Sequence, residues 1–126
     1  MAKNDQNTTI NELRELPVIF SKERDWQKHQ TPKNLAISIA IEAAELMEHF
    51  QWGEYSEKDK QEITDELADV LIYCLELSDK LNIDITTAIK EKLEKAAIKY
   101  PIDAMRTDPT FTEYKRRKLE HRKGRK

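Results

Sequence analysis

Glycine and cysteine are scarce in this sequence of 126 residues, and each shortage excludes a class of protein. Two glycines, Gly53 and Gly124, are too few for a glycine-rich phosphate loop or for the turns of a hairpin-rich β fold. The single cysteine, Cys74, cannot form a disulfide within the chain and so predicts a reducing, cytoplasmic location. No apolar run approaches the roughly 18 residues of a membrane span, so we expect no membrane association.

Charge of opposite sign is concentrated in different parts of the chain. Residues 113–126 hold eight lysines and arginines against two glutamates, whereas residues 1–112 hold 14 basic against 22 acidic residues. An acidic body is not typical of a nucleic-acid-binding domain, so we do not expect nucleic acid as a partner. We predict a flexible N-terminus at 1–8, an all-α domain at 9–106 and a basic, flexible C-terminal tail at 107–126.

Helix signals predict an all-α fold with four main helices, most simply a four-helix bundle. The capping box of Thr9 and Glu12 begins the first helix, which Pro17 either kinks or restarts. Thr31 and Gly53 are the expected cap and left-handed stop of the second helix. The second, third and fourth helices are expected at about 33–51, 57–81 and 85–99.

Four acidic residues interrupt the most apolar helices. The second helix is apolar on nearly all sides over 35–50 and should be buried, yet Glu42 and Glu45 lie inside this run, one turn apart. Glu66 and Asp69 repeat that spacing in the third helix. A short connection makes the two helices antiparallel neighbours. Glu42 is then expected to face Asp69, and Glu45 to face Glu66.

Four carboxylates in a half-buried site need either protons or a cation, because burial and like charge both disfavour ionisation. An all-oxygen donor set favours a hard ion, Mg²⁺, for which Mn²⁺ could substitute. The alternative is that these are solvated acids of helix surfaces paired with lysines. A ferritin-like di-iron bundle is disfavoured because the chain has no Glu-x-x-His repeat. Along the same stripes, His49 is interpreted as a structural partner for Glu62, with a metal ligand or a base as the alternative.

Glu42-Ala43-Ala44-Glu45, followed after twenty residues by Glu66-Leu67-Ala68-Asp69, resembles the E-x-x-E…E-x-x-D signature of the MazG-like all-α nucleoside triphosphate pyrophosphohydrolases. Segments 23–26, 32–35, 50–52 and 99–101 are similar to the dCTP pyrophosphatase branch, and the resemblance covers about residues 10–105. It implies the all-α NTP pyrophosphatase fold, homodimers or homotetramers, and Mg²⁺-dependent hydrolysis of a nucleoside triphosphate to the monophosphate and pyrophosphate. The apolar second helix also favours self-association.

The resemblance implies a role for each matching residue. The metal ligands would be Glu42, Glu45, Glu66 and Asp69. Aromatic contacts to the base would come from Trp26, Trp52 and Tyr73, and phosphate contacts from Lys33, Asn34, Lys92 and Lys99. A carboxylate not fully used as a ligand could accept the proton of the attacking water, and we favour Glu45 as this catalytic residue.

The expected substrate is dCTP or a modified pyrimidine deoxynucleotide. The alternative is a non-catalytic helical module that only binds nucleotide or metal. Two departures from the family pattern motivate it, because Gln30 and Ala96 stand where relatives often carry histidine and asparagine.

Overall fold

Helices account for all the regular structure in the computed structural model, which describes residues 2–124. No strand occurs within that range, so the predicted all-α fold is confirmed. None of the helices in this part of the chain is long and apolar enough to cross a membrane. The helices are α1 (Ile10–Glu23), α2 (Pro32–Glu48), α3 (Lys60–Lys80), α4 (Ile85–Lys99), α5 (Ile102–Arg106) and α6 (Thr112–Lys123).

Side-chain caps begin the first two helices where the sequence predicts them. The backbone N–H of Glu12 donates to Thr9 Oγ1 at 3.1 Å, and that of Asn34 donates to Thr31 Oγ1 at 3.2 Å. Each cap satisfies one of the backbone donors that the first turn of a helix leaves unpaired. Pro17 lies inside α1, which continues through it as one helix. Pro17 therefore does not start a second helix.

The prediction that the second helix extends to Gln51 and stops at a left-handed Gly53 is wrong. α2 ends at Glu48, and Gly53 does not have a positive φ. The backbone N–H groups of Phe50 and Gln51 donate to carbonyl oxygens three residues earlier, at 2.9 and 3.2 Å. The helix thus tightens into successive turns before it reaches the glycine. A short 3₁₀ helix at Glu57–Asp59 then precedes α3.

α3 is the central element of a first compact unit, which ends at Asp84. Both α1 and α2 pack against it. His49, just after the end of α2, lies beside Glu62 near the start of α3. This contact between the end of one helix and the start of the next means that α2 and α3 run antiparallel, as the sequence predicts.

The prediction that α2 is buried on nearly all sides is wrong for the single chain. Leu35 is 1% exposed, whereas Ile37, Ile41 and Met47 on the same helix are exposed, Met47 by 63%. The reason is that α3 is the main neighbour of α2 within the first unit, and one helix can cover only one side of another. Much of the apolar surface of α2 is therefore left open to solvent.

The second compact unit begins at Ile85 and contains α4, α5 and α6. The ring of Tyr100, just after α4, stacks on the ring of Tyr114 in α6, with centroids 5.0 Å apart. The guanidinium of Arg117 donates to the backbone carbonyl of Lys99 at 3.1 Å. These two contacts connect the end of α4 to α6 within this unit.

α6 lies in the segment 107–126, which is predicted to be a basic tail. Ion pairs one turn apart support it: Arg117 Nε lies 2.7 Å from Glu113 Oε1, and Arg116 Nη1 lies 2.7 Å from Glu120 Oε1. The two arginines lower the pKa of Glu113 to about 2. Outside the described residues lie Met1, Arg125 and Lys126. The domain boundaries and the flexible ends stay predictions.

Candidate active site

Three of the four predicted metal ligands meet between α2 and α3. Glu42 and Glu45 lie one turn apart on α2, and Glu66 lies on α3. One carboxylate oxygen from each of the three lies within 4.8 Å of the others. Asp69 is not part of this set of oxygen atoms, but its charge raises the pKa of both Glu42 and Glu66. We call these four residues the acid cluster.

Burial and like charge make Glu42 and Glu66 hold protons more tightly than free carboxyl groups do. Burial, hydrogen bonding to Glu45 and the charges of the other three acids together raise the pKa of Glu42 to about 7. Burial and the nearby Glu45 also raise the pKa of Glu66, and the charge of His49 partly opposes this rise. A bound cation would reverse these effects, because it favours the ionised carboxylates.

Two oxygen atoms of the acid cluster are buried and have no hydrogen-bond partner among the described residues. They are Oε2 of Glu42 and Oε2 of Glu66. Buried acceptors normally find a partner, because leaving one unpaired destabilises the fold. Carboxylate oxygens are also the ligands that hard divalent cations prefer. The residues present therefore fit a divalent metal ion.

Two predicted aromatic contacts lie beside the acid cluster. Trp26 and Tyr73 line a cavity of about 630 Å³ between α1 and α3, which Asp69 also lines. The same two side chains line a smaller cavity of about 220 Å³ near the start of α2, together with Asn34. The larger volume lies within the range of roughly 300–1,000 Å³ that is typical of small-molecule sites. The structure thus brings Trp26, Tyr73 and Asn34 together.

Comparison with known proteins identifies the family. The model of the MazG-like family matches residues 37–112, which contain the whole acid cluster. The chain belongs to the MazG-like family. A human protein named dCTP pyrophosphatase 1 is 33% identical over 107 residues, which cover 79% of this chain. The rat protein of that name is 32% identical over 106 residues, which cover 78% of it. The resemblance seen in the sequence is confirmed.

A solved structure supports the same MazG-like fold. A pyrophosphatase from Archaeoglobus fulgidus DSM 4304 shares 42% sequence identity with this chain and aligns with a TM-score of 0.68. The alignment covers 79% of this chain and 99% of that one. The chain spans a smaller share of its curated relatives, 63% of the human and 62% of the rat protein.

The four residues predicted to contact the phosphates are Lys33 and Asn34 in the first unit and Lys92 and Lys99 in the second. Lys33 and Asn34 occupy the first turn of α2, where Lys33 is exposed and Asn34 Nδ2 donates to the carbonyl of His29 at 2.9 Å. Lys92 and Lys99 lie on α4, in the second unit. The roles of these side chains stay predictions.

Trp52 and His49 differ in how the structure places them. Trp52 belongs to the segment that connects α2 to α3. Its side chain is 90% exposed and lines neither of the two cavities. The structure therefore does not bring it to Trp26. His49 has one ring nitrogen 3.8 Å from Glu62 Oε2 and the other 3.8 Å from Glu66 Oε1. The predicted pairing with Glu62 is confirmed, and His49 also contacts the acid cluster.

Glu76 is absent from the predicted site residues, although it lines the larger cavity. It is buried in α3, and the hydroxyl of Ser21 in α1 donates to its Oε1 at 3.3 Å. The available signal was an acidic residue between Leu75 and Leu77, in line with Asp69 two turns earlier on the same helix. Its partner on α1 is 55 residues away in the sequence and gives no local signal.

Proposed function

We propose that this chain is a Mg²⁺-dependent nucleoside triphosphate pyrophosphohydrolase, which splits a nucleoside triphosphate into the monophosphate and pyrophosphate. The acid cluster carries the proposal. Three carboxylates converge within 4.8 Å, and two of them keep a buried oxygen unpaired, in a chain of the MazG-like family. The names of the relatives, dCTP pyrophosphatase 1 and a pyrophosphatase, support dCTP or a modified pyrimidine deoxynucleotide as the substrate.

In this proposal Glu42, Glu45, Glu66 and Asp69 hold Mg²⁺, and Mn²⁺ can substitute. When bound, the ion supplies positive charge that offsets the negative charge of the α-phosphate and of the leaving pyrophosphate. Glu45 accepts the proton of the attacking water as the catalytic base. The unpaired buried oxygens support this division of roles, because they belong to Glu42 and Glu66 and not to Glu45.

The remaining proposed residues bind the nucleotide. Trp26 and Tyr73 contact the base, and their common position on two cavities supports this role. Trp52 is proposed as a third base contact on the family resemblance alone. The proposed phosphate contacts are Lys33, Asn34, Lys92 and Lys99.

We further propose that the enzyme is a cytoplasmic homodimer or homotetramer. Exposed apolar side chains on α2, among them Ile37, Ile41 and Met47, support self-association, since a second copy would bury them. Cys74 is unpaired, as a reducing compartment allows.

Pyrophosphate release tests the proposal directly. The protein is incubated with each of the four deoxynucleoside triphosphates and with 5-methyl-dCTP, and pyrophosphate and monophosphate are quantified with MgCl₂ or with EDTA. We expect turnover with MgCl₂ and none with EDTA. Glu45→Gln should lower kcat about 100-fold or more, because it removes the proposed base, while its Tm in EDTA stays equal or rises as like-charge repulsion is relieved.

The matched control is Glu48→Gln, one turn further along α2 and exposed, which should keep full activity. Absence of turnover with every nucleotide, or full activity of Glu45→Gln, contradicts the proposal. Tight nucleotide binding without turnover would instead favour the non-catalytic binding module.

A further inference from the structure

The larger cavity between α1 and α3 is mostly apolar, with a few polar groups. Leu13, Leu16 and Phe20 of α1 form part of its wall. A cavity of this kind binds a ligand through apolar contact, and its polar groups fix the orientation of the ligand. The polar group furthest along α3 from the acid cluster is the carboxyl group of Glu76.

Glu76 is 5% exposed, and its hydrogen bonding is incomplete. Ser21 Oγ donates to Oε1 at 3.3 Å, and Gln30 Nε2 in turn donates to Ser21 Oγ at 3.1 Å. Oε2 is buried and has no hydrogen-bond partner among the described residues. A buried carboxylate oxygen without a partner is uncommon, since it loses its contact with water and gains nothing in return. Its position on a cavity wall would allow a bound ligand to supply the missing donor.

The spacing along α3 fits a nucleotide. Asp69 and Glu76 are seven residues apart, so they share one side of the helix and lie about 10 Å apart along its axis. Tyr73 lies between them, and Trp26 lines the same cavity. A nucleotide whose phosphates lie at the acid cluster would place its base beside these aromatic side chains, with the edge of the base toward Glu76.

We propose that Glu76 is a specificity-determining residue, whose Oε2 accepts a hydrogen bond from the exocyclic amino group of a cytosine base. This inference rests on the proposed function and deepens it by naming the group that distinguishes dCTP from dUTP. It also gives the Ser21–Gln30 pair a role, because that pair holds Oε1 and leaves Oε2 for the base.

Cytosine can form hydrogen bonds with Glu76 whether the carboxyl group of Glu76 is ionised or protonated. An ionised Glu76 accepts a hydrogen bond from the amino group, which is the usual contact of a carboxylate with cytosine. Burial raises the pKa of Glu76, and a protonated carboxyl group could in addition donate to the ring nitrogen beside the amino group. In uracil the corresponding N–H lies between two carbonyl oxygens, both of which repel an ionised carboxylate.

Substitution of Glu76 tests the inference through kcat/KM for dCTP, dUTP and dGTP with Mg²⁺. The wild type should prefer dCTP. Glu76→Leu, which removes the acceptor at similar size, should lower kcat/KM for dCTP about 10-fold or more and leave that for dUTP nearly unchanged. Glu76→Gln keeps an acceptor oxygen and should keep most of the preference for dCTP. Glu15→Leu is the control on α1, since Glu15 is exposed and outside the cavity lining.

Equal effects of Glu76→Leu on all three nucleotides, or an effect on dGTP alone, would overturn the inference while the proposed function stands. A binding measurement further separates the role of Glu76 from the proposed catalytic function. Without metal, NMR titration with dCMP and dUMP measures affinity without turnover, and Glu76→Leu should weaken dCMP alone. Should Glu76→Leu not fold, the side-chain amide resonance of Gln30, which lines the cavity, decides in the wild type: a shift with dCMP that dUMP does not produce supports the role of Glu76, and equal shifts or no shift refute it.

Discussion

At the scale of single residues, the candidate site depends on the carboxyl groups of the acid cluster. Glu42 shows that placing these groups together is unfavourable for folding. Its carboxyl group is partly buried, faces other acids and has a raised pKa. Folding without a cation therefore places like charges together at neutral pH, which is unfavourable. The same arrangement favours a cation, because binding removes the repulsion.

Titration of Glu42 predicts how stability depends on pH when no metal is present. The pKa of Glu42 rises from 4.5 to about 7 on folding, so the folded state favours the protonated form. Its contribution to stability is fully present below pH 4.5 and is lost as the pH rises through 7. In EDTA, the Tm of Glu42→Gln minus that of the wild type should therefore increase between pH 4.5 and about pH 7. Above about pH 7 this difference should stay constant.

Thermal melts across this pH range check the prediction. Glu48→Gln is the control, and its Tm should differ from that of the wild type by the same amount at every pH. A Tm difference between Glu42→Gln and the wild type that does not vary with pH would contradict it. Addition of MgCl₂ at pH 8 should raise the Tm of the wild type more than that of Glu42→Gln, since the variant lacks one of the proposed charged ligands.

Among the helices, α2 connects local sequence signals to the candidate site. It begins at the Thr31 cap, carries Lys33 and Asn34 in its first turn, and places Glu42 and Glu45 against α3. Glu42 and Glu45 face α3 together because they lie about one turn apart and side chains recur every 3.6 residues.

Loss of the Thr31 cap should destabilise the fold without changing the site residues. Thr31→Ala should lower the free energy of unfolding by about 1 kcal/mol, since the backbone N–H of Asn34 loses its acceptor. Thr31→Ser, which keeps the hydroxyl group, should retain most of that energy. Urea unfolding at one fixed protein concentration measures both, and equal stabilities of the two variants would refute the capping role.

At the scale of the whole molecule, the exposed apolar surface of α2 is the feature that favours self-association. Ile41 and Met47 are exposed in the single chain, although they lie on the same helix as the buried Leu35. A helix that is apolar on nearly all sides becomes stable in water when partners cover each side. The proposed second copy would provide this cover.

Substitution on this surface tests self-association. The wild type should sediment as a dimer or tetramer, and Ile41→Glu should shift it toward the mass of one chain, because a buried unpaired charge opposes association. The exposed Glu48→Gln variant should leave the mass unchanged. A wild type that sediments as a single chain at all concentrations would contradict the proposal.

Features that depend on neighbouring residues could be predicted from the amino-acid sequence alone. The caps at Thr9 and Thr31 are local hydrogen bonds. Local sequence patterns indicate two antiparallel helices, and the spacing of acidic residues along them predicts that Glu45 faces Glu66. α6 escaped prediction because its ion pairs, such as Arg117 with Glu113, replace the apolar periodicity that signals a helix.

The contacts between buried groups from distant parts of the chain could not be predicted in this way. Ser21 and Glu76 are 55 residues apart, and their hydrogen bond requires α1 to pack on α3. The cavity shared by Trp26 and Tyr73 depends on the same packing. Such contacts depend on how several helices fill space together, so no local pattern predicts them. For this reason the spacing of the acid cluster was readable in the sequence, whereas the burial of Glu76 and its hydrogen bond to Ser21 became visible only in the fold.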